Sequence, residues 1–90
     1  DLVVNVKKST TIEEINKLFT EAAKGAYKGI LTIDEEQKVS MDFRTDPSSV
    51  IFVNDMTKVV DGKCIKIMGW YDNEWGYSNR LVDMAVRIGA

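Results

Sequence analysis

Val59-Val60-Asp61-Gly62-Lys63-Cys64-Ile65-Lys66-Ile67-Met68-Gly69-Trp70-Tyr71 reads as two strands joined by a tight turn. Asp61-Gly62 supplies the residue types that tolerate positive φ, which a two-residue hairpin turn demands. Beyond the turn the spacing predicts one strand over Cys64–Tyr71. Ile65, Ile67, Gly69 and Tyr71 fall on one face, and Cys64, Lys66, Met68 and Trp70 on the other. A hairpin makes its two strands antiparallel, so this stretch argues for a mostly antiparallel sheet.

Upstream, Leu2, Val4 and Val6 alternate with Val3, Asn5 and Lys7, the pattern of a strand. Thr11 with Glu14 forms a capping box, in which the hydroxyl accepts an early backbone N–H and the carboxylate reaches back. Ile12, Ile15, Leu18, Phe19, Ala22 and Ala23 then make one apolar stripe on a helix over 12–24. Lys24 suits the negative end of that helix, and Gly25 is expected to close it in the left-handed conformation. Gly29–Ile33 is a short apolar strand candidate. Val39, Met41 and Phe43 alternate with polar neighbours as a further strand. Asp46-Pro47-Ser48 reads as a turn, since Pro fixes its own φ and pushes the preceding residue out of the helical region. Val50-Ile51-Phe52-Val53 is a continuous apolar run, expected as a strand covered on both faces.

Leu81, Val82, Ala85, Val86 and Ile88 return to helical spacing, in a helix that starts near Asp72 or Asn73. The expected order is β-α-β-β-β-β-β-α. That is an α+β fold with a mostly antiparallel sheet, one packed helix and a C-terminal helix.

Composition narrows the function. Ninety residues make one domain at most. The 12 basic and 14 acidic residues leave a net charge of −2 with no cluster of Lys and Arg, so no nucleic-acid partner is expected. No apolar run approaches the roughly 18–20 residues of a membrane span, so no membrane role is expected either. A single Cys fits a reducing compartment, and a cytoplasmic location is expected. The absence of His excludes His-based acid–base catalysis, His-ligated metal sites and Cys-His nucleophile pairs within these residues. The chain opens on Asp1, not Met, and enters a strand at once, so it is expected to be part of a longer protein.

Most polar candidates have an ordinary structural reading. Asp34-Glu35-Glu36 is expected as a solvated acidic turn, and Asp42 and Asp46 as surface carboxylates. Arg44, Arg80 and Arg87 are expected to be ion-paired or exposed, and Cys64 to be an inert core thiol. No catalytic residue and no metal ligand is assigned.

The unusual stretch is Trp70-Tyr71-Asp72-Asn73-Glu74-Trp75-Gly76-Tyr77-Ser78-Asn79-Arg80. It joins a strand to a helix, where side chains and early-turn N–H groups stand at a sheet edge. Two readings are open. An Asn there donates and accepts in the pattern of a nicotinamide carboxamide, and a Tyr one turn on packs against a planar ring. Alternatively, Asp72 and Asn73 cap the helix and the aromatics fill the core beneath it.

Tyr71–Arg80, followed by Leu81-Val82-Asp83, resembles the C-terminal signature of phosphorylating glyceraldehyde-3-phosphate dehydrogenases. Lys28-Gly29-Ile30-Leu31, Val39-Ser40-Met41-Asp42-Phe43 and Asp46-Pro47-Ser48-Ser49 resemble successive segments of the same family's catalytic domain. The resemblance implies that residues 1–90 are the C-terminal part of that domain, terminal helix included. It further implies an NAD-dependent glycolytic oxidoreductase, converting glyceraldehyde 3-phosphate and phosphate to 1,3-bisphosphoglycerate as a homotetramer. Asn73 then matches the family's Asn that holds the nicotinamide carboxamide, and Tyr77 the Tyr packed beside that ring. The helix over 74–88 matches the one that lies against the nucleotide-binding domain. The family's catalytic Cys and its His base lie in segments preceding Asp1, so this chain is expected to be inactive alone. Its partners are the remainder of the dehydrogenase chain and the other subunits. Cys64 does not match the nucleophile, and Ser48 stands where many relatives carry His.

Two alternatives remain at this level. Erythrose-4-phosphate dehydrogenases tend to carry Cys and Phe where this chain has Tyr71 and Tyr77. A non-catalytic, self-associating fold fragment is the other, with Val50–Val53 and the stripe of the last helix as its contact surfaces.

Overall fold

A computed structural model describes residues 1–36 and 40–89. Its elements are β1 (Leu2–Asn5), α1 (Ile12–Lys24), β2 (Leu31–Asp34), β3 (Val50–Val53), β4 (Lys58–Val60), β5 (Cys64–Ile67), β6 (Gly69–Trp70) and α2 (Trp75–Gly89), with 3₁₀ turns at Ser40–Phe43 and Asn54–Met56. The fold is α+β, as the sequence predicts.

The strands form two three-stranded sheets, in the orders β1-β5-β4 and β2-β3-β6. All pairs are antiparallel except β2 with β3. A parallel pair needs a long crossover, and segment 35–49 supplies it. Within that segment the expected strand over Val39, Met41 and Phe43 is not formed among the described residues. Val39 lies outside the described residues, and Ser40–Phe43 is a 3₁₀ turn. Two-residue alternation over so short a stretch does not distinguish a strand from a tight turn that buries one Phe.

The strand expected over Cys64–Tyr71 is two strands. β5 is the centre of one sheet and β6 an edge of the other. The switch falls at Met68, whose carbonyl accepts the Val53 N–H at 3.0 Å. Gly69 permits it: a Cβ there would lie 2.8 Å from Val50 Cγ2. The hairpin forms at Asp61-Gly62, with φ 52° and 73°, but Val60 pairs with Cys64, so three residues connect the strands rather than the two expected.

α1 begins and ends where its pattern says. Thr11 Oγ1 accepts the Glu14 N–H at 3.2 Å, but the Glu14 carboxylate takes the Thr10 hydroxyl at 3.0 Å rather than the cap N–H. Gly25 closes the helix at φ −112°, outside the left-handed region expected, and its N–H reaches the Glu21 and Ala22 carbonyls. The apolar stripe is covered unevenly. Ile15 is buried, Phe19 half-buried, and Leu18 is 61% exposed.

The core sits on β3. Ile51, Phe52 and Val53 are buried, while Val50 is exposed, so the apolar run is covered over three of its four residues. Phe52 stacks on Phe19 of α1, with centroids 4.2 Å apart and planes 6° off parallel. Ile51 lies opposite Trp70 in the antiparallel register, which puts the two on one face. Phe43 stacks on that Trp at 5.6 Å. β3 is thus covered on its two faces by different segments. A polar link ties α1 to the second 3₁₀ turn: Thr57 Oγ1 donates to Asn16 Oδ1 at 2.7 Å, and Asn16 Nδ2 to the Asn54 carbonyl at 3.1 Å.

The Cα radius of gyration is 14.6 Å, against roughly 12 Å for a compact chain of this length. Residues 81–89 of α2 are all exposed. Phe52→Ala removes the ring at the centre of the core and is expected to destabilise the fold by about 3–5 kcal/mol. Urea denaturation measures this, and a loss below about 1 kcal/mol would move the core elsewhere.

Candidate functional site at the start of the C-terminal helix

The turn between β6 and α2 is organised by one carboxylate. Asp72 Oδ1 accepts the backbone N–H of Trp75 at 2.9 Å and of Glu74 at 3.1 Å. These are among the donors that a helix start leaves without intrahelical partners. Asp72 Oδ2 accepts the Thr45 N–H at 2.8 Å, from a residue distant in sequence. The N–H groups of Trp75 and Thr45, then that of Glu74, hold the Asp72 carboxyl below its ordinary value of 3.8. The helical carbonyl ladder also starts here, since the Gly76 N–H reaches the Asp72 carbonyl at 3.1 Å and the Ser78 N–H that of Glu74 at 3.0 Å.

Both cap bonds therefore belong to Asp72, and Asn73 is not used as a cap. Asn73 is exposed. Tyr77, four residues on, is 65% exposed. Four residues along a helical ladder bring two side chains onto one side of the helix. Asn73 and Tyr77 thus share an accessible edge, with an amide that can donate and accept beside an aromatic face. The aromatics do not fill a core beneath the helix. Tyr71 is 65% and Trp75 48% exposed, and only Trp70 is drawn in, against Phe43.

Two further contacts seat α2. Gly76 is buried, and a Cβ on it would lie 2.6 Å from the Ser48 carbonyl oxygen, so helix and loop backbones touch. Arg80 donates from Nη1 to Ser49 Oγ at 3.2 Å and from Nε to Asp83 Oδ2 at 2.9 Å. Arg80 is ion-paired as expected, while Arg44 and Arg87 are exposed.

The other sequence candidates fall elsewhere. Asp34 is buried rather than solvated, and its Oδ1 accepts the Glu36 N–H at 2.9 Å. Asp46 is half-buried, with Oδ1 accepting the Ser48 N–H at 2.9 Å. Both are short Asp-centred turns, in which the side chain satisfies a backbone donor two residues on. Cys64 is half-buried at the start of β5. Ser48 is buried, and its hydroxyl donates to Thr32 Oγ1 at 3.2 Å.

The link from Asp72 to Thr45 is the part of the site that sequence reasoning missed. Nothing local in the chain announces a bond across that separation. A usable signal was Gly76, a glycine inside a helix start, which marks close backbone approach.

Because the folded state depresses the Asp72 pKa, its stabilising contribution is in place above pH 3.8, the ordinary value. It is lost as pH falls through the lower folded value. Acid titration of stability is expected to show this component in the wild type and not in Asp72→Asn. Parallel acid profiles for the two proteins would contradict it.

The chain matches the family described as "Glyceraldehyde 3-phosphate dehydrogenase, C-terminal domain" over residues 1–73. It is similar to Glyceraldehyde-3-phosphate dehydrogenase 1 of Streptomyces avermitilis, at 49% identity over 99% of this chain and 26% of that protein. Glyceraldehyde-3-phosphate dehydrogenase 2 of the same organism is 52% identical over 99% of this chain and 27% of its own length. The glyceraldehyde-3-phosphate dehydrogenase of Cereibacter sphaeroides is 48% identical, again over 99% of this chain and 27% of that protein. The chain spans about a quarter of the length of the curated relatives it matches. With the family match covering all six strands and α1, and the relatives extending it through α2, the chain belongs to the glyceraldehyde-3-phosphate dehydrogenase family, as part of its C-terminal domain.

Proposed function

We propose that these residues form the C-terminal part of the catalytic domain of an NAD-dependent phosphorylating glyceraldehyde-3-phosphate dehydrogenase, and that they supply part of its nicotinamide seat. The parent enzyme oxidises glyceraldehyde 3-phosphate in the presence of phosphate to 1,3-bisphosphoglycerate. The observation that carries this reading is the shared exposed edge of Asn73 and Tyr77, left accessible because Asp72 does the capping.

The residues present fit the cofactor. The Asn73 side chain carries one acceptor oxygen and an NH₂ donor, which complement the NH₂ and C=O of a carboxamide. Tyr77 offers an aromatic face one turn along. When bound, the nicotinamide accepts the hydride of the oxidation. Asn73 contributes by fixing the ring's rotation, so that one face meets the substrate, and orientation of that kind lowers the barrier without any bond to the reacting atoms. Tyr77 limits the ring's tilt. Neither residue moves a proton or attacks the substrate. On this reading the reacting thiol and its base come from other parts of the parent enzyme, and the chain alone, which contains no His, is expected to be inactive.

In the full-length enzyme, Asn73→Ala is expected to reduce kcat/KM for NAD by a factor corresponding to about 1–3 kcal/mol, the cost of orphaning a hydrogen-bonding partner. Steady-state kinetics with NAD as the varied substrate measure this. Unchanged kinetics would overturn the assignment of Asn73.

A second reading is favoured by α2. Leu81, Val82, Met84, Val86 and Ile88 are each more than half exposed, and an apolar surface of that kind is usually covered by another chain segment. For the chain taken alone, self-association through α2 is the expected outcome. Light scattering on the 90-residue chain should then report a dimer or larger, and a monomer at high concentration would remove this reading.

A further inference from the structure

We propose that Asp72 is a positioning residue for Asn73 and Tyr77, acting by tethering the loop 44–49 to the start of α2. The inference rests on the reading of Asn73 and Tyr77 as cofactor contacts.

Three contacts join this loop to the helix, and they fall at regular intervals. Asp72 Oδ2 takes the Thr45 N–H, Gly76 lies against the Ser48 carbonyl, and Arg80 reaches Ser49 Oγ. Residues 72, 76 and 80 are spaced four apart and make one stripe along the helix start. Asn73 and Tyr77 make the adjacent stripe, advanced by about 100° around the axis. A helix seated on the loop by the first stripe therefore has the second stripe set in rotation and in height. Slippage of the first moves the second by the same amount.

Among the described residues beyond Arg80, 81–89 are all exposed, so the contacts at 72, 76 and 80 are the ones that seat α2 on the loop. The loop in turn is held in a conformation it would not choose. Thr45 is β-branched and sits at φ 65°, a region that such residues avoid and that persists only when surrounding contacts impose it. The Asp72 bond to the Thr45 N–H is a contact of that kind.

A carboxylate is needed because donors approach both of its oxygens. Asparagine has one acceptor oxygen. It caps a helix as well as aspartate does, but it would turn its NH₂ toward the Thr45 N–H. Asp72→Asn therefore keeps the cap and cuts the tether.

The test uses the full-length dehydrogenase that contains this chain, with NAD as the probe. Asn73→Ala, Asp72→Asn and Gly76→Ala are compared with wild type for KM of NAD, KM of the aldehyde, and Tm. Asp72→Asn is expected to raise KM for NAD on the order of tenfold, a typical effect of misplacing one hydrogen-bonding group. KM for the aldehyde should stay near wild type, while Tm falls modestly with the lost Thr45 bond. Gly76→Ala leaves both Asp72 oxygens untouched but pushes the helix off Ser48, and is expected to show the same split. It carries the test if Asp72→Asn does not fold. If Asn73→Ala raises KM for NAD while Asp72→Asn and Gly76→Ala leave it unchanged, the tether does not position the seat and the proposal is overturned. If Asn73→Ala itself leaves kcat/KM for NAD unchanged, the underlying reading of the site fails first. Equal changes in KM for NAD and KM for the aldehyde alongside the fall in Tm would make Asp72 merely structural and overturn the proposal as well.

Discussion

The arrangement at the start of α2 depends on how many donors one side chain can satisfy. A helix start leaves several backbone N–H groups without partners, and something nearby has to accept them. Here Asp72 accepts two of them through Oδ1 and has Oδ2 left for Thr45. That division has two consequences. The neighbouring amide of Asn73 is not consumed as a cap. The helix is tied to a loop that belongs to a different part of the chain, through a bond whose acceptor is charged and whose donor is backbone. Charge-assisted bonds of this type are stronger than neutral ones, and this one fixes orientation rather than mere proximity.

The rest of the fold can be seen as the support for that junction. β3 is buried along three of its four residues and is covered on opposite faces by Phe19 and by the Phe43–Trp70 pair. Trp70 is the last residue of β6, and Asp72 follows it by two. Phe43 precedes Thr45 by two. The Phe43–Trp70 stack and the Asp72–Thr45 bond therefore lie side by side, one apolar and one polar, and they hold the same two segments together. The apolar contact brings the segments into reach, and the polar one fixes their register.

How much of this could be read in the chain varied with the range of the interaction involved. The bounds of α1 were legible, because Thr11 and the apolar spacing are local signals, although Gly25 closes the helix outside the left-handed region expected of it. The hairpin at Asp61-Gly62 was legible for the same reason. The strand over Cys64–Tyr71 was not divided correctly, since the alternation of side chains runs through Met68 unchanged while the hydrogen bonds pass from one sheet to the other. The parallel pairing of β2 with β3 was hidden as well, because nothing in either strand records its partner. At the site, Asn73 and Tyr77, singled out from the sequence, are both exposed. The choice between Asp72 and Asn73 as cap stayed open until geometry assigned both cap bonds to Asp72. Asp34 was misread as solvated, as a run of carboxylates gives no sign that one of them turns inward to accept a backbone N–H.

The central claim is that capping by Asp72 leaves Asn73 to grip the redox ring. A crystal structure of the full-length enzyme with NAD bound addresses it directly. The account predicts both atoms of the Asn73 amide within hydrogen-bond distance of the nicotinamide carboxamide, Tyr77 alongside the ring, and the Thr45 N–H still on Asp72. An Asn73 side chain folded back onto the helix N–H groups, or standing out of reach of the ring, would contradict it.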